Sequence, residues 1–203
     1  MPAGTKWPSG TRWTRAVYEG QKMDRLSDTE LAIAARQGDL DAFTTLVERL
    51  RTPALRFAYG IAGDEAEDAV QDAFVKAFRN LGGFRTDAAF RPWLFTIVAN
   101  EARNRRRSAG RRRKLDLHVR AQPQTVGAAA DDVMARDDQR RRLLDAAATL
   151  PDRHREVIAL RYFAGLSERE TAVVLSCPVG TVKSRLSRAL DVLRARLGEE
   201  ATL

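Results

Sequence analysis

The segment from Gly165 to Arg188 constrains the fold of this 203-residue chain more than any other part of its sequence. It contains Ser167-x-x-Glu170, a capping box that predicts the start of a short helix. Pro178 disfavours helical backbone at the residue before it, so a tight turn is expected there. A longer helix is predicted to follow the turn. Short helix, tight turn and longer helix together form the helix-turn-helix pattern.

The second helix of this motif has two chemically different faces. Apolar side chains recur along one seam, namely Val182, Leu186, Leu190, Leu193 and Leu197. The opposite face carries hydroxyl and basic side chains, namely Thr181, Lys183, Ser184, Arg185, Ser187 and Arg188. Acidic residues are absent between Pro178 and Leu190, whereas a merely solvated face tends to mix both signs of charge. Because a helix fits the major groove and Arg or Lys can bond guanine or phosphate, the pattern favours DNA binding over a solvated surface helix.

The remaining sequence also has the period of helices. Ser27-x-x-Glu30 is a second capping box, and apolar residues follow at helical spacing from Phe43 to Leu50. Alternating strand patterns are absent, so we expect an all-α chain of two small helical domains joined by a flexible basic linker. The expected parts are a flexible N-terminal tail (1–26), an N-terminal helical domain (27–108), a linker (109–130) and a C-terminal helical domain (131–198). The tail lacks periodicity, so we expect it to be mobile or to precede a true start at Met23. The alternative is that it packs through Trp7 and Trp13.

Glycine and proline mark the expected helix ends in the N-terminal domain. Gly63 is expected to close one helix, and the capping box Asp64-x-x-Glu67 is expected to open the next. Pro92 is suited to the first position of a further helix, which we expect to end near Arg107. The linker that follows has little potential to form a core.

The charge of the chain and its few metal-binding side chains narrow its function. Lys and Arg number 35 against 27 Asp and Glu, a net charge of +8 that suits polyanions, nucleic acid first and an anionic membrane surface second. Cys177 is the only cysteine, which excludes an intrachain disulfide. One cysteine and two histidines, His118 and His154, are too few for a metal site built on cysteine or histidine. Neither a metal nor a cofactor is therefore expected. The sequence has no run of about 18 apolar residues and no secretory signal core, so we expect a soluble cytoplasmic protein without membrane insertion.

The predicted helix after Gly63 is acidic along one side. Its acids are Asp64, Glu65, Glu67, Asp68 and Asp72. The helix dipole favours acids in the first turn, which accounts for Asp64 to Glu67 but not for Asp72. A carboxylate metal site would need a histidine or a second acidic cluster, so a docking face for a basic partner is the better interpretation.

The next predicted helix combines aromatic, amide and basic side chains on one side. They recur at three- and four-residue spacing, namely Trp93, Thr96, Asn100, Arg103, Asn104 and Arg107. Such a face suits melted or single-stranded nucleic acid, since bases stack on aromatic rings and the backbone needs cations. The loop from Asn80 to Arg85 lies just before this helix. In the alternative interpretation, Phe84 and Trp93 are core residues and the arginines coat the surface.

Taken together, these segments resemble the sigma-70 superfamily, specifically the extracytoplasmic-function (ECF, group IV) sigma factors of bacterial RNA polymerase. The motifs that carry the resemblance are Glu67–Phe78, Phe84–Asn100, Leu150–Pro151, Arg155–Ile158 and Pro178–Leu186. The first is similar to the part of sigma region 2 that binds the clamp helices of the polymerase β′ subunit. The second is similar to the part that melts and reads the promoter −10 element, and the others match sigma region 4, which reads the −35 element. The resemblance covers about residues 28–108 and 138–197 and implies region 2 and region 4 domains without a region 3 between them.

This resemblance implies roles for particular residues. Those implied in polymerase binding are Asp68, Gln71, Asp72 and Val75. Those implied in binding the −10 element are Asn80, Phe84, Arg85, Trp93, Asn100, Arg103 and Asn104. Those implied in binding the −35 element are Thr181, Lys183, Ser184, Arg185 and Arg188. The resemblance implies no catalytic residues and, as partners, core RNA polymerase (the β′ clamp helices and the β subunit), promoter DNA and an anti-sigma factor.

Two other functions fit parts of the pattern. One is a stand-alone helix-turn-helix regulator that binds duplex DNA without polymerase, although the acidic helix and the Phe84–Asn100 segment favour the sigma factor. The other is a metal-dependent nuclease that uses the carboxylates between Asp64 and Asp72. Its activity would need a divalent metal and would survive the loss of Lys183 and Arg185.

Overall fold

Every regular element in the described part of the chain is helical. The computed structural model describes residues 25–116, 146–147 and 149–200, without the side chains of residues 113–116 and 197–200. The α-helices of this part are α1 (Asp28–Arg36), α2 (Leu40–Ala62), α3 (Ala66–Arg79), α4 (Phe90–Asp116), α5 (Asp152–Ile158), α6 (Glu168–Val174) and α7 (Val179–Glu200). The shorter turns are 3-10 turns at Gly63–Glu65 and Leu81–Gly83 and a π-helical turn at Ala159–Phe163. The predicted all-α fold is confirmed for these residues, while the predicted tail up to residue 24 and most of the predicted linker lie outside them.

The two predicted capping boxes at Ser27 and Ser167 open helices. Before α1, the Glu30 N–H donates to Ser27 Oγ at 3.2 Å and the Ser27 N–H donates to Glu30 Oε2 at 2.8 Å. The bond from the Ser27 backbone, followed by that from its hydroxyl, lowers the pKa of the Glu30 carboxyl. The same reciprocal pair joins Ser167 and Glu170 before α6, at 3.2 and 2.7 Å. These bonds satisfy N–H groups that a helix N-terminus leaves without an intrahelical partner.

The Ser167 cap is expected to contribute measurably to stability. Ser167→Ala removes the bond from the Glu170 N–H, and we expect it to lower the free energy of unfolding by about 1 kcal/mol. For a chain of this size that loss lowers the melting temperature by roughly 2–4 °C, which circular dichroism detects. Ser187→Ala is the matched control, because Ser187 is exposed within α7. Equal melting temperatures for the two variants would contradict the capping role.

The predicted helix-turn-helix is confirmed as α6, a tight turn and α7. Ser176 lies in the turn with a positive φ of 48°. The Cys177 N–H donates to the Ala172 carbonyl at 3.0 Å and so closes the end of α6. Val182 of α7 is fully buried in a cluster with Val157 and Ala172. Through this cluster the apolar seam of α7 packs on α5 and α6.

The start of α3 differs from the prediction. Gly63 ends α2 as expected, with a φ of 59°. The chain then winds as a 3-10 turn, so α3 begins at Ala66 and its N-cap residue is Glu65, without a side-chain cap. The prediction of a capping box at Asp64 and Glu67 is therefore wrong, because the tight turn moves the helix start beyond Asp64.

Helix α4 is longer than predicted at both ends. It begins at Phe90, before Pro92, and the Phe90 N–H donates to Thr29 Oγ1 of α1 at 3.2 Å. It continues to Asp116, beyond the predicted end near Arg107, so the first part of the predicted linker is helical. Arginine, lysine and alanine, which dominate this extension, are all favourable in helices.

One apolar core joins the N-terminal helices and extends into the C-terminal ones. Its largest fully buried rings, each 0–1% exposed, are Phe57, Phe84, Phe90 and Phe95. The same cluster contains side chains that follow α5, namely Ala159, Leu160, Ala164 and Leu166. Arg91 of α4 also donates to the Ala164 carbonyl at 3.0 Å. The described parts of the N-terminal and C-terminal helical regions therefore pack against each other.

Candidate nucleic-acid and partner interfaces

Helix α7 gathers the residues predicted to bind the −35 element. They all lie in its first half, namely Thr181, Lys183, Ser184, Arg185 and Arg188. Three of them are exposed, Lys183, Ser184 and Arg188, and the other two are half-buried. The opposite side of α7 is the seam that packs on α5 and α6, although the Leu197 side chain of that predicted seam lies outside the described part. One end of one helix thus presents the whole predicted set.

Two contacts connect this end of α7 to the elements before it. Arg185 Nη1 lies 4.0 Å from Cys177 Sγ in the turn. Because a guanidinium has five N–H donors, Arg185 keeps donors for a ligand. Lys183 Nζ lies 3.7 Å from Glu168 Oε2, and the lysine side chain is 64% exposed. Such a surface pair contributes little to stability, so Lys183 can exchange it for a phosphate.

Helix α3 turns the residues predicted to bind polymerase away from the core. Its buried side consists of small and apolar residues, namely Ala66, Ala69, Val70, Ala73, Phe74 and Ala77. On the other side, Asp68 and Gln71 are exposed and Asp72 is half-buried. Val75 and Phe78 add apolar surface, at 43% and 45% exposed. The result is a mixed acidic and apolar face, which we call the α3 face.

Arginines of α4 bind the acids of the α3 face, and no sequence pattern indicated this. Arg105 Nη2 donates to Asp72 Oδ2 at 2.6 Å, and its Nη1 donates to Asp68 Oδ2 at 2.9 Å. Arg112 pairs with Glu65. The bond with Asp72 raises the pKa of the Arg105 guanidinium, against the effect of desolvation. Only the packing of α3 on α4 brings these charges together, and the resulting network favours ion pairing over a carboxylate metal site.

Trp93 lies at the outer side of an aromatic cluster. Its ring centroid is 5.4 Å from that of Phe84 and 5.5 Å from that of Phe90. Trp93 is half-buried, whereas Phe84 is 1% exposed. The enclosed ring of Phe84 does not fit the predicted contact with DNA, because its neighbours cover it. It supports Trp93 instead, which agrees with the alternative interpretation for Phe84.

The amide and basic residues of α4 follow Trp93 along the helix. Asn100 and Asn104 are exposed, and Arg103 is half-buried. Arg103 Nη1 donates to Asn100 Oδ1 at 3.3 Å, and Arg107 Nη2 donates to Asn104 Oδ1 at 2.8 Å. These bonds keep the amides and guanidiniums adjacent, as a face that contacts both bases and phosphates requires.

Arg103 is also bound by the C-terminal helices. Its Nε donates to Glu156 Oε1 at 2.6 Å and its Nη2 to Glu156 Oε2 at 2.9 Å. This bidentate bond raises the pKa of the Arg103 guanidinium. Nearby, Arg106 Nη1 donates to Asp152 Oδ1 at 2.6 Å. Two acids of α5 thus occupy two arginines of α4, a pairing that the sequence pattern did not predict.

Asn80 and Arg85, which were also predicted to bind the −10 element, have local partners between α3 and α4. Asn80 Nδ2 donates to the Lys76 carbonyl at 2.8 Å, at the end of α3. Arg85 donates to both carboxylate oxygens of Asp87, at 3.1 and 2.8 Å. These bonds raise the pKa of Arg85 and lower that of Asp87. Both Asn80 and Arg85 are exposed.

The described residues contain neither a metal-binding cluster nor a membrane-spanning helix. Among residues 25–116, 146–147 and 149–200, no group of three or more His, Cys, Asp and Glu side chains is arranged to hold a metal ion. Within the same described part, no helix combines the length and apolar character needed to cross a membrane.

Two family models match the chain at the segments described above. The model described as Sigma-70 region 2 matches residues 46–112, which include α3 and most of α4. The model described as Sigma-70, region 4 matches residues 140–193, which include α6, the turn and most of α7. The two matches occur in the order expected from the sequence motifs.

Whole-chain comparisons extend these matches to individual proteins. The ECF RNA polymerase sigma-E factor of Haemophilus influenzae is 33% identical over 184 residues, which cover 86% of this chain and 97% of that protein. The RNA polymerase sigma-H factor of Pseudomonas aeruginosa is 36% identical over 177 residues, covering 82% of this chain and 91% of that protein.

Solved structures show the same relationship. CnrH in complex with the cytosolic domain of CnrY has a TM-score of 0.66 and 30% identity, over 85% of this chain and 97% of that one. The sigma factor RpoE of Bartonella quintana, in complex with the anti-sigma factor NepR, has a TM-score of 0.61 and 31% identity, over 77% and 96% of the two chains. On these matches, the chain belongs to the sigma-70 family, as an extracytoplasmic-function RNA polymerase sigma factor.

Proposed function

We propose that this chain binds core RNA polymerase through the α3 face and directs it to promoters by reading DNA with α4 and α7. The observation that carries the proposal is the presence, in one chain, of an acidic and apolar face and two separate nucleic-acid faces. Their order along the chain is that of sigma regions 2 and 4. A stand-alone regulator would need only the helix-turn-helix.

The −35 element is the target of α7 in this proposal. The residues assigned to it are Thr181, Lys183, Ser184, Arg185 and Arg188. The exposed first turns of a recognition helix reach base edges in the major groove, and flanking basic side chains bind phosphate. The packing of Val182 against α5 and α6 fixes the angle at which α7 leaves the domain.

The −10 element is the target of α4. The exposed part of Trp93 offers a surface on which an unstacked base can stack, while Asn100 and Asn104 offer amides for its edge. Arg103 would bind the backbone, and the exposed Asn80 and Arg85 would contact DNA from the preceding loop. Unstacking a base costs a few kcal/mol, which stacking and hydrogen bonds on this face would offset.

The proposed function also implies particular partners and a place in the cell. The chain is proposed to act as a non-catalytic initiation factor in the cytoplasm, where it meets polymerase β′ and β subunits and promoter DNA. An anti-sigma factor is proposed as its regulator, because the similar sigma factor RpoE of Bartonella quintana is in complex with the anti-sigma factor NepR. The surfaces that such a regulator would cover are the α3 face and the side of α4 that carries Trp93, Asn100 and Asn104.

Co-elution of the purified chain with purified core polymerase, in the absence of DNA, tests the proposal. A stable one-to-one complex is the expected result. Tight binding to duplex DNA without any association with core polymerase would instead identify a stand-alone regulator. Divalent-metal-dependent cleavage of DNA that survives removal of Lys183 and Arg185 would identify a nuclease.

The pair between Arg103 and Glu156 leads to a prediction about the free chain. DNA must replace Glu156 as the partner of Arg103, so Glu156→Gln is expected to tighten binding to a single-stranded −10 oligonucleotide. The gain should be about two- to fivefold, since a partly exposed ion pair contributes up to about 1 kcal/mol. Fluorescence anisotropy with the free protein measures it.

The matched control is Asp191→Asn, which removes a carboxylate that pairs with Arg194 within α7. It should leave the affinity for the oligonucleotide unchanged. An equal gain from both variants would mean that net charge, rather than release of Arg103, causes the effect.

A further inference from the structure

Arg105 is a residue of α4 whose side chain contacts α3, and the sequence motifs assign it no role. Its guanidinium reaches three carboxylates of the α3 side at once. Nη2 lies 2.6 Å from Asp72 Oδ2, while Nη1 lies 2.9 Å from Asp68 Oδ2 and 3.6 Å from Glu65 Oε2. A single side chain therefore links Asp68 and Asp72 on successive turns of α3 and also lies close to Glu65 at the N-cap of this helix.

These acids would repel one another without a cation between them. Asp68 and Asp72 are four residues apart on α3, and Glu65 is the N-cap residue three positions before Asp68, so the three acids are neighbours. Like charges at this spacing destabilise the arrangement and favour side-chain rotamers that separate them. The planar fork of arginine can bind two carboxylates at defined angles, which a lysine ammonium does not do.

The contacts with Arg105 leave the acids accessible. Asp68 and Asp72 each use Oδ2 for Arg105. Their side chains remain 62% and 45% exposed. Since a carboxylate has two oxygens that accept hydrogen bonds, each acid can bind Arg105 and a second basic group together. Arg105 thus orders these acids without covering them.

We propose that Arg105 is a positioning residue for polymerase binding, which holds the Asp68 and Asp72 carboxylates in the geometry that the partner meets. This inference rests on the proposed function of the α3 face. Ordering the side chains before association removes part of the entropy that binding otherwise costs. On that basis, loss of Arg105 weakens core-polymerase binding about three- to tenfold, with binding to duplex −35 DNA unchanged.

Titration of labelled protein with core polymerase tests this role, using Arg105→Gln, Arg105→Lys and the control Arg111→Gln. Arg111 is exposed on the same helix and bonds Ser108 rather than the α3 acids. The Gln variant of Arg105 should bind three- to tenfold more weakly, the Lys variant should fall between it and wild type, and the control should match wild type. Melting curves of all variants should coincide within a few degrees, because the pairs are partly exposed.

A double-mutant cycle separates positioning from a general effect. In an Asp72→Asn, Asp68→Asn background the Arg105→Gln change should have no further effect on polymerase affinity, because Arg105 acts through these acids. Unchanged or tighter binding by Arg105→Gln would overturn the inference, as would an equal loss in the background that lacks both acids. If that background itself binds polymerase like wild type, the proposed polymerase site on α3 is wrong, and the two failures remain distinct.

Discussion

Asp72→Arg is expected to weaken binding to core RNA polymerase by about 2–5 kcal/mol, the range measured when one member of a close interfacial charge pair is lost. The change reverses the charge in the middle of the α3 face and places a cation beside Arg105, whose Nη2 lies 2.6 Å from the Asp72 carboxylate. The affinity for duplex −35 DNA should stay at the wild-type value, because the residues assigned to the −35 element lie on α7 and Asp72 lies on α3. Titration against core polymerase and gel-shift assays with duplex DNA measure the two affinities.

The control for this prediction is Asp191→Arg, the same charge reversal on α7, where Asp191 pairs with Arg194 and is 65% exposed. It should bind polymerase like wild type. If Asp72→Arg leaves polymerase binding intact, or harms polymerase binding and DNA binding equally, the assignment of the α3 face is contradicted.

Arg185→Ala is expected to show the opposite selectivity. Loss of its guanidinium from the first half of α7 should weaken −35 binding by about 1–3 kcal/mol, the cost of one specific base contact, and relax specificity at one position of the element. Polymerase affinity should be unaffected. Competition gel shifts with single-base variants of the −35 duplex measure both the loss and the change in specificity.

Arg194→Ala is the matched control for Arg185→Ala. Arg194 lies further along the same helix, is 74% exposed and pairs with Asp191 at 3.0 Å. It removes an equal charge and should change −35 affinity far less, without any change in base preference. Equal losses from the two variants would indicate that α7 contributes only general electrostatic attraction.

Local signals account for the parts of the fold that the sequence predicted. Ser27 with Glu30 and Ser167 with Glu170 act within one helical turn, so their hydrogen bonds form wherever the neighbouring residues are helical. Gly63 ends α2 through a positive φ, which is likewise a property of the residue and its immediate neighbours.

Packing between distant segments accounts for what the sequence did not predict. Helix α4 begins at Phe90 because its N–H finds a hydroxyl on α1, a contact between residues far apart in the chain. The family resemblance implies a DNA contact for Phe84, yet the packing of its ring against Phe90 and Trp93 encloses it. A residue type at a given spacing does not reveal which side of a loop faces the core.

The same difference between local signals and long-range packing applies to the candidate interfaces. Helical spacing was sufficient to group the acids of α3 and the basic residues of α7. It was not sufficient to predict that Arg105 would bind Asp68 and Asp72, or that Glu156 would bind Arg103, since each pair joins different helices. Those partners decide how available each face is to a ligand.

Run-off transcription with purified core polymerase, the purified chain and a library of genomic promoter fragments tests whether the chain directs polymerase to promoters. We expect discrete transcripts that appear only when the chain is added, start downstream of shared −35 and −10 sequences, and are reduced by Asp72→Arg and by Arg185→Ala. Identical transcripts with and without the chain would contradict it.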